Sequence, residues 1–250
     1  MKLALAQMLV EPGRKHANLA RAEQRIADAR SADIVVLPEA LTLGWTHPSA
    51  REEADGIPDG ESCVRLRAAA QQHQMFVCAG IVERANDKLF NAAVLINPQG
   101  EVLAHHRKIY ELDIAQDLYA RGDRLSVAET PFGKIGVMIC ADGFAPGQSI
   151  TRALALMGAR FILSPCAWAV PAEHDNAREP YGQLWLDNYC PVAREFAVTI
   201  AGVSNVGPIT AGPWQGRKCI GNSLLIGPNG VESARGPYGE NAEALLIVDV

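Results

Sequence analysis

Apolar positions along this chain follow two rhythms. Short runs that are apolar at nearly every position occur at Lys2–Met8, Ala32–Leu37, Met75–Glu83, Ile135–Cys140, Phe161–Cys166, Val198–Val203 and Leu245–Val250. Each is bounded by glycine, proline or acidic residues, the signature of strands buried on both faces rather than half-exposed ones. Between them lie stretches with helical spacing. Leu19, Ala22, Ile26 and Ala29 predict a helix from an Asn18 cap to Arg30; further helices are predicted over Cys63–Gln74, from Pro146 to a stop at Gly158, and over Leu184–Phe196 despite Pro191. Residues 47–60, 109–122 and 171–183 show neither period and read as loops, the second with a helical turn.

The pattern repeats. KLALAQM at Lys2 corresponds to KIGVMIC at Lys134, ADIVVLPEA at Ala32 to ARFILSPCA at Ala159, and NAAVLINPQG at Asn91 to NSLLIGPNG at Asn222, at offsets of 132, 127 and 131 residues. Three segments in one order at nearly one spacing predict two similar halves, each ending in a hairpin with a Pro-x-Gly turn. Two facing sheets with helices outside is the economical packing, so the expected fold class is α/β, a four-layer α-β-β-α sandwich. No linker interrupts 250 residues of 48% hydrophobic content, and residues 1–250 are expected to form one domain.

Composition narrows the function classes. A formal charge of −5 without a basic stripe excludes nucleic acid as an expected partner, and no apolar run reaches the length of a membrane span. The opening MKLALAQMLVEPG is interrupted by Gln7 and lacks a small-residue cleavage site, so it reads as a first strand. The six cysteines form no C-x-x-C pair, which points away from zinc and from a disulfide scaffold and toward a reducing, cytoplasmic setting. His174 beside Asp175 is more simply a solvated loop histidine than a metal ligand, and no metal or cofactor is expected.

The candidate chemistry sits where interior runs end. Cys140 closes one run, Glu39 follows the Leu37-Pro38 end of another, and Lys108 follows the strand of the first hairpin. Groups at the carboxyl ends of strands in α/β sheets collect around a cleft. A thiol with an ordinary pKa of about 8.5 is mostly protonated at neutral pH, so it needs a base to attack an acyl carbon. No histidine is convincingly placed at a strand end; His105 and His106 lie along the hairpin strand. A buried Glu39 can take and return the proton, and the Lys108 ammonium with the backbone N–H of Ala141 can hold an oxyanion. Cys166 and Trp168, at the end of the FILSPCAWAV run, are expected to line the substrate pocket. Glu111, Asp113 and Asp117 are all possible second carboxylates.

A Glu, Lys, Cys order within ADIVVLPEA, NAAVLINPQGEVLAHHRKIY and TPFGKIGVMICADG resembles the nitrilase superfamily of carbon–nitrogen hydrolases over nearly the whole chain. The resemblance implies the four-layer sandwich and a triad of Glu39, Lys108 and Cys140. It also implies a second carboxylate before Gly122, for which Asp117 has the spacing of the aliphatic-amidase branch, although that branch carries glutamate. Pro146-Gly147 stands where the family commonly has Pro-Glu. Cys140 is followed by Ala141-Asp142 where nitrile-hydrolysing members have Cys-Trp-Glu, which favours amides. The resemblance thus implies an enzyme that hydrolyses a small-molecule amide through a cysteine thioester. An N-carbamoyl amide hydrolase or a nitrilase would use the same triad, and a catalytically idle binding relative is the reading of another class. A homodimer through helices 146–157 and 184–196 is expected.

Overall fold

The computed structural model describes all 250 residues. In the first half, β1 (Lys2–Gln7) leads through α1 (Lys15–Asp28) to β2 (Ile34–Val36). A loop with the short α2 (Ala50–Glu53), then α3 (Glu61–His73), leads to β3 (Phe76–Ala85), β4 (Lys88–Ile96) and β5 (Val102–Arg107). The second half contains β6 (Val127–Ala128), β7 (Ile135–Val137), α4 (Ser149–Leu156), β8 (Phe161–Cys166), β9 (Ala169–Val170), α5 (Gln183–Phe196) and β10 (Thr199–Ser204). It closes with β11 (Val206–Pro208), β12 (Lys218–Ile220), β13 (Leu224–Ile226), β14 (Glu232–Arg235) and β15 (Ala244–Asp249).

Two six-stranded sheets result, in the orders β15-β1-β2-β3-β4-β5 and β14-β13-β10-β8-β7-β6. The strands β1, β2 and β3 run parallel before the antiparallel β3-β4-β5 meander; β7, β8 and β10 run parallel before the antiparallel β10-β13-β14 meander. The internal repeat is therefore a repeat of topology. The last strand, β15, returns to pair with β1, joining the chain's end to its first sheet.

Strand alternation explains why the runs are apolar throughout. Leu3, Leu5, Ile34 and Val36 pack between the sheets against Ile135, Val137, Leu163 and Val203. The intervening Ala4, Ala6 and Val35 face the other way, onto Leu19 and Ile26 of α1 and Leu66 of α3. Met138, Ile162 and Ile200 likewise meet Leu154 of α4 and Val192 of α5. A strand covered on both faces has no position where a polar side chain is free of cost. The layers are helix, sheet, sheet, helix, as expected.

Two helix starts differ from expectation. Asn18 is not a cap: α1 begins at Lys15, and the buried Asn18 side chain donates to the Glu11 and Thr42 carbonyls and accepts the Glu11 N–H, pinning the preceding loop. Pro146 opens only a 3₁₀ turn, because Gly147 at φ 65° breaks the helical path and α4 starts at Ser149. The 47–60 loop also contains α2.

Candidate active site

Cys140 stands at a bent corner. The strand hydrogen bonding of β7 continues as Met138 N–H donates to the Leu163 carbonyl at 3.1 Å, and the chain then turns through a 3₁₀ segment, Cys140–Phe144. Cys140 itself has φ +43°, left-handed backbone that costs a non-glycine residue roughly 1–3 kcal/mol. That cost is met by specific partners: Cys140 N–H donates to Ser164 Oγ at 3.1 Å and Ile139 N–H to Asp142 Oδ2 at 2.9 Å. Burial pushes the Cys140 thiol well above its ordinary pKa, and neighbouring Cys166 and Glu39 push the same way against the opposing pull of Lys108. The resting thiol is protonated.

Glu39 follows β2 and is bridged to both sheets. Its N–H donates to the Cys166 carbonyl at 3.2 Å, while flanking Leu37 and Leu41 N–H groups donate to the carbonyls of Cys78 and Gly80 in β3. The approach is close enough that a Cβ on Gly80 would lie 2.6 Å from Glu39 Cα, so only glycine fits there. Glu39 Oε1 accepts from Asn91 Nδ2 at 2.6 Å and from Lys108 Nζ at 2.8 Å. Both members of this ion pair are 1% exposed.

Lys108 continues β5, whose alternation sends Ala104, His106 and Lys108 inward. Glu111 approaches Lys108 Nζ at 3.9 Å from the other side, and neither of its buried oxygens has a hydrogen-bond partner. Burial lowers the Lys108 pKa, but the charges of Glu39 and Glu111 outweigh it and hold the ammonium well above its usual range. Glu111 is pushed up to about 8, chiefly by burial, with Lys108 opposing and Glu39 and Asp142 adding to the rise. At neutral pH Glu111 is thus a neutral carboxyl beside the Lys108 ammonium.

Asp142 ties the corner to the lysine segment. One carboxylate oxygen accepts the N–H groups of Ile109 at 3.1 Å and Tyr110 at 2.8 Å; the other accepts Ile139 N–H and meets His106 Nε2 at 2.7 Å. Burial would raise the Asp142 pKa, but His106 and these backbone donors hold it below the usual range. A single buried side chain thereby fixes the turn around Cys140 relative to the residues after Lys108.

Glu39, Lys108 and Cys140 open onto one cavity of about 230 Å³. Ala141 and Trp168 line it, and Trp45, Trp185, Trp214 and Tyr181 complete most of its wall. The arrangement can move a proton from a thiol to a carboxylate and offer one cation and a backbone N–H donor to a developing oxyanion. No group of three or more His, Cys, Asp and Glu side chains is arranged to hold a metal ion.

Two expected site residues fall elsewhere. Asp117 is exposed on the surface, its carbonyl accepting from Arg51, and the carboxylates beside Lys108 are Glu39 and Glu111 alone. The physical reason is the 3₁₀ turn Asp113–Ala115, which sends Ala115 and Tyr119 into the core and Asp113, Gln116 and Asp117 outward. Cys166 does not line the pocket; it is fully buried beneath Cys140, its Sγ hydrogen-bonded to the Ser164 carbonyl at 3.2 Å. His106, Asp142 and the tryptophans other than Trp168 escaped the sequence reading. The inward phase of Ala104, His106 and Lys108 was the available signal for the first of these.

The chain is similar to known proteins over most of its length. A nitrilase of Pyrococcus abyssi is 32% identical over 237 residues, covering 91% of this chain and 82% of its own length. An omega-amidase, NIT2 of Xenopus tropicalis, is 37% identical over 219 residues, covering 80% of this chain and 78% of its own. Among solved structures, an amidase of the nitrilase superfamily from Nesterenkonia AN1 superposes with a TM-score of 0.82 at 22% identity, over 100% of this chain and 90% of that one, which shows the shared fold. The profile of the carbon-nitrogen hydrolase family matches residues 2–250, and the chain is an enzyme belonging to that family of hydrolases.

Proposed function

We propose that the protein hydrolyses the carbon–nitrogen bond of a small amide, with Cys140 as nucleophile, Glu39 as general base and acid, and Lys108 as oxyanion stabiliser. The observation that carries this reading is the shared cavity: a protonated thiol facing a buried carboxylate–ammonium pair held at 2.8 Å. Glu39 takes the Sγ proton as sulfur bonds to the acyl carbon. The Lys108 ammonium and the Ala141 N–H hold the resulting oxyanion, each such donor contributing about 3–4 kcal/mol. Glu39 then protonates the nitrogen, the C–N bond breaks, and ammonia or an amine leaves a thioester on Cys140. Water, giving its proton to Glu39, attacks the thioester carbon; the C–S bond breaks, the acid departs, and the thiol regains its proton. Glu111 is the second carboxyl of the site and orients the amide beside Lys108. The Ala141-Asp142 sequence after the nucleophile supports amides over nitriles.

Cys140→Ala removes a sulfur from a corner held by backbone hydrogen bonds, so it is expected to abolish ammonia release with the fold intact. Acid-quenched parent protein should carry an acyl adduct on the Cys140 peptide. Turnover persisting in Cys140→Ala, measured as released ammonia, would show that another group does the chemistry. We also propose a homodimer through residues 146–157 and 184–196, supported by the exposed Leu156, Met157 and Leu184, with sedimentation at a monomer's mass as the contrary result.

A further inference from the structure

Polarity in the cavity is divided sharply between its two ends. The closed end holds Glu39 and Lys108, already paired with each other. Above them the wall is almost entirely apolar, and all four tryptophans of the 250 residues line it. Trp45 and Trp214 meet at 4.7 Å between ring centroids, while Trp168 and Trp185 stack at 4.6 Å and 23°. These rings come from four separate segments of the chain, so this wall is built by the fold and not by one aromatic stretch. Lys108 is the only lysine, and no arginine or histidine lines the cavity. Arg217 lies over the Trp214 ring at 4.3 Å and is not part of the lining.

We infer that the acyl half of the substrate is uncharged and apolar, a branched alkyl or aryl group, and that amides ending in a carboxylate or an ammonium are rejected. This rests on the amidase reading and deepens it. A carboxylate at the far end of a substrate would be stripped of water with no cation to receive it, since Lys108 is engaged by Glu39 at 2.8 Å and faces Glu111 at 3.9 Å. An ammonium would gain from the ring faces, but the one acidic side chain of the lining, Glu39, is already paired with Lys108 at 2.8 Å, so no free carboxylate receives it. An apolar group loses nothing on entry. The cavity, about 230 Å³, is smaller than the roughly 300–1,000 Å³ of sites for drug-sized ligands, which restricts the acyl group to one ring or a short branched chain.

Three amides of nearly equal shape separate the possibilities: 4-methylpentanamide, its anionic isostere succinamate, and the cationic 4-aminobutanamide. Expected is a kcat/KM for the neutral amide at least about 100-fold above either charged one, the scale of leaving a buried charge unpaired. Trp214→Ala should lower kcat/KM for 4-methylpentanamide at least fivefold more than for acetamide, mainly through KM. Because every tryptophan lines the cavity, intrinsic fluorescence of Cys140→Ala protein reports binding there without turnover. It should titrate with 4-methylpentanamide and remain flat with the charged amides at the same concentrations. A charged amide that is bound or turned over as well as the neutral one, no fluorescence response to 4-methylpentanamide, or equal Trp214→Ala losses for both neutral amides overturns the inference. Failure to release ammonia from any amide would overturn the amidase reading instead, and the fluorescence titration still decides this one.

Discussion

Glu111→Gln probes the least conventional group of the site. The parent carboxyl is pushed from an ordinary 4.5 to about 8 by burial, opposed by Lys108 at 3.9 Å. Between those two values the folded protein keeps a proton that the unfolded chain gives up. Stability therefore falls as pH rises through that window, by as much as about 1.4 kcal/mol per pH unit, and levels off above pH 8. Glutamine has the same shape and no titration, so the fall should be shallower in the variant. Catalysis has its own signature. Once Glu111 ionises, a second negative charge beside Lys108 weakens that ammonium as an oxyanion partner, so kcat/KM of the parent should decline above about pH 8. The variant should lack this alkaline limb and, with the carboxyl that orients the amide replaced, run about 10-fold or more slower at pH 7. Two measurements decide the matter: kcat/KM for a small amide from pH 5.5 to 9.5, and denaturant unfolding at pH 6 and 8. An alkaline limb and a stability slope identical in parent and variant would refute the placement of a protonated Glu111 against Lys108.

Three further substitutions follow from the same geometry. Asp117→Asn, at an exposed position away from the cavity, should leave kcat/KM within about twofold of the parent; a severe loss would return the second-carboxylate role to it. Asp142→Asn exchanges an acceptor oxygen for an NH₂ among Ile139, Ile109, Tyr110 and His106, so at least one buried donor loses its partner, at about 1–3 kcal/mol. Asp142 acts by positioning, so kcat should drop about 10-fold or more with KM little changed, and a variant with parental kcat would show that the corner holds without it. Gly80→Ala places a methyl 2.6 Å from Glu39 Cα and 2.7 Å from the Pro38 carbonyl, and should cost about 1–3 kcal/mol in stability as well as activity; unchanged unfolding midpoint and kcat would contradict the close packing.

What could be read in advance follows from where each constraint is written. The interior runs of β1, β2 and β7 are apolar at nearly every position because helices cover one face and the other sheet the opposite face, and such a requirement is local. Glu39 and Cys140 were visible for a related reason: Pro38 and Asp142 punctuate runs that could not otherwise end in a charge or a thiol. Glu111 was not distinguishable from Asp117 because the choice depends on the 3₁₀ turn at Asp113–Ala115, which has no periodic signature. The tryptophan wall beyond Trp168 was unreadable for a stronger reason. Trp45, Trp168, Trp185 and Trp214 meet only through the fold, so no window of sequence contains the pocket.

The repeat, legible from the start, raises a question that the structure answers. The offset carrying Ala32 to Ala159 carries Glu39 to Cys166, and the offset carrying Lys2 to Lys134 carries Met8 to Cys140. Each half therefore builds the same two strand-end corners, yet only one corner in each carries a group of the proposed triad: Glu39 in the first half and Cys140 in the second. Their counterparts Met8 and Cys166 are fully buried in the outer cores. At the end of β1, Gln7 Nε2 donates to the carbonyls of Pro237 and Ala242 and its Oε1 accepts from Ser223, so that corner is filled by the protein's own hydrogen bonds. The fold's near-symmetry thus supplies a pair of rigid corners, and the side chains decide which remains open. The Glu39 N–H to Cys166 carbonyl bond joins the corresponding residues across the two sheets, so the proposed base, Glu39, and the proposed nucleophile, Cys140, are held by one frame although 101 residues separate them.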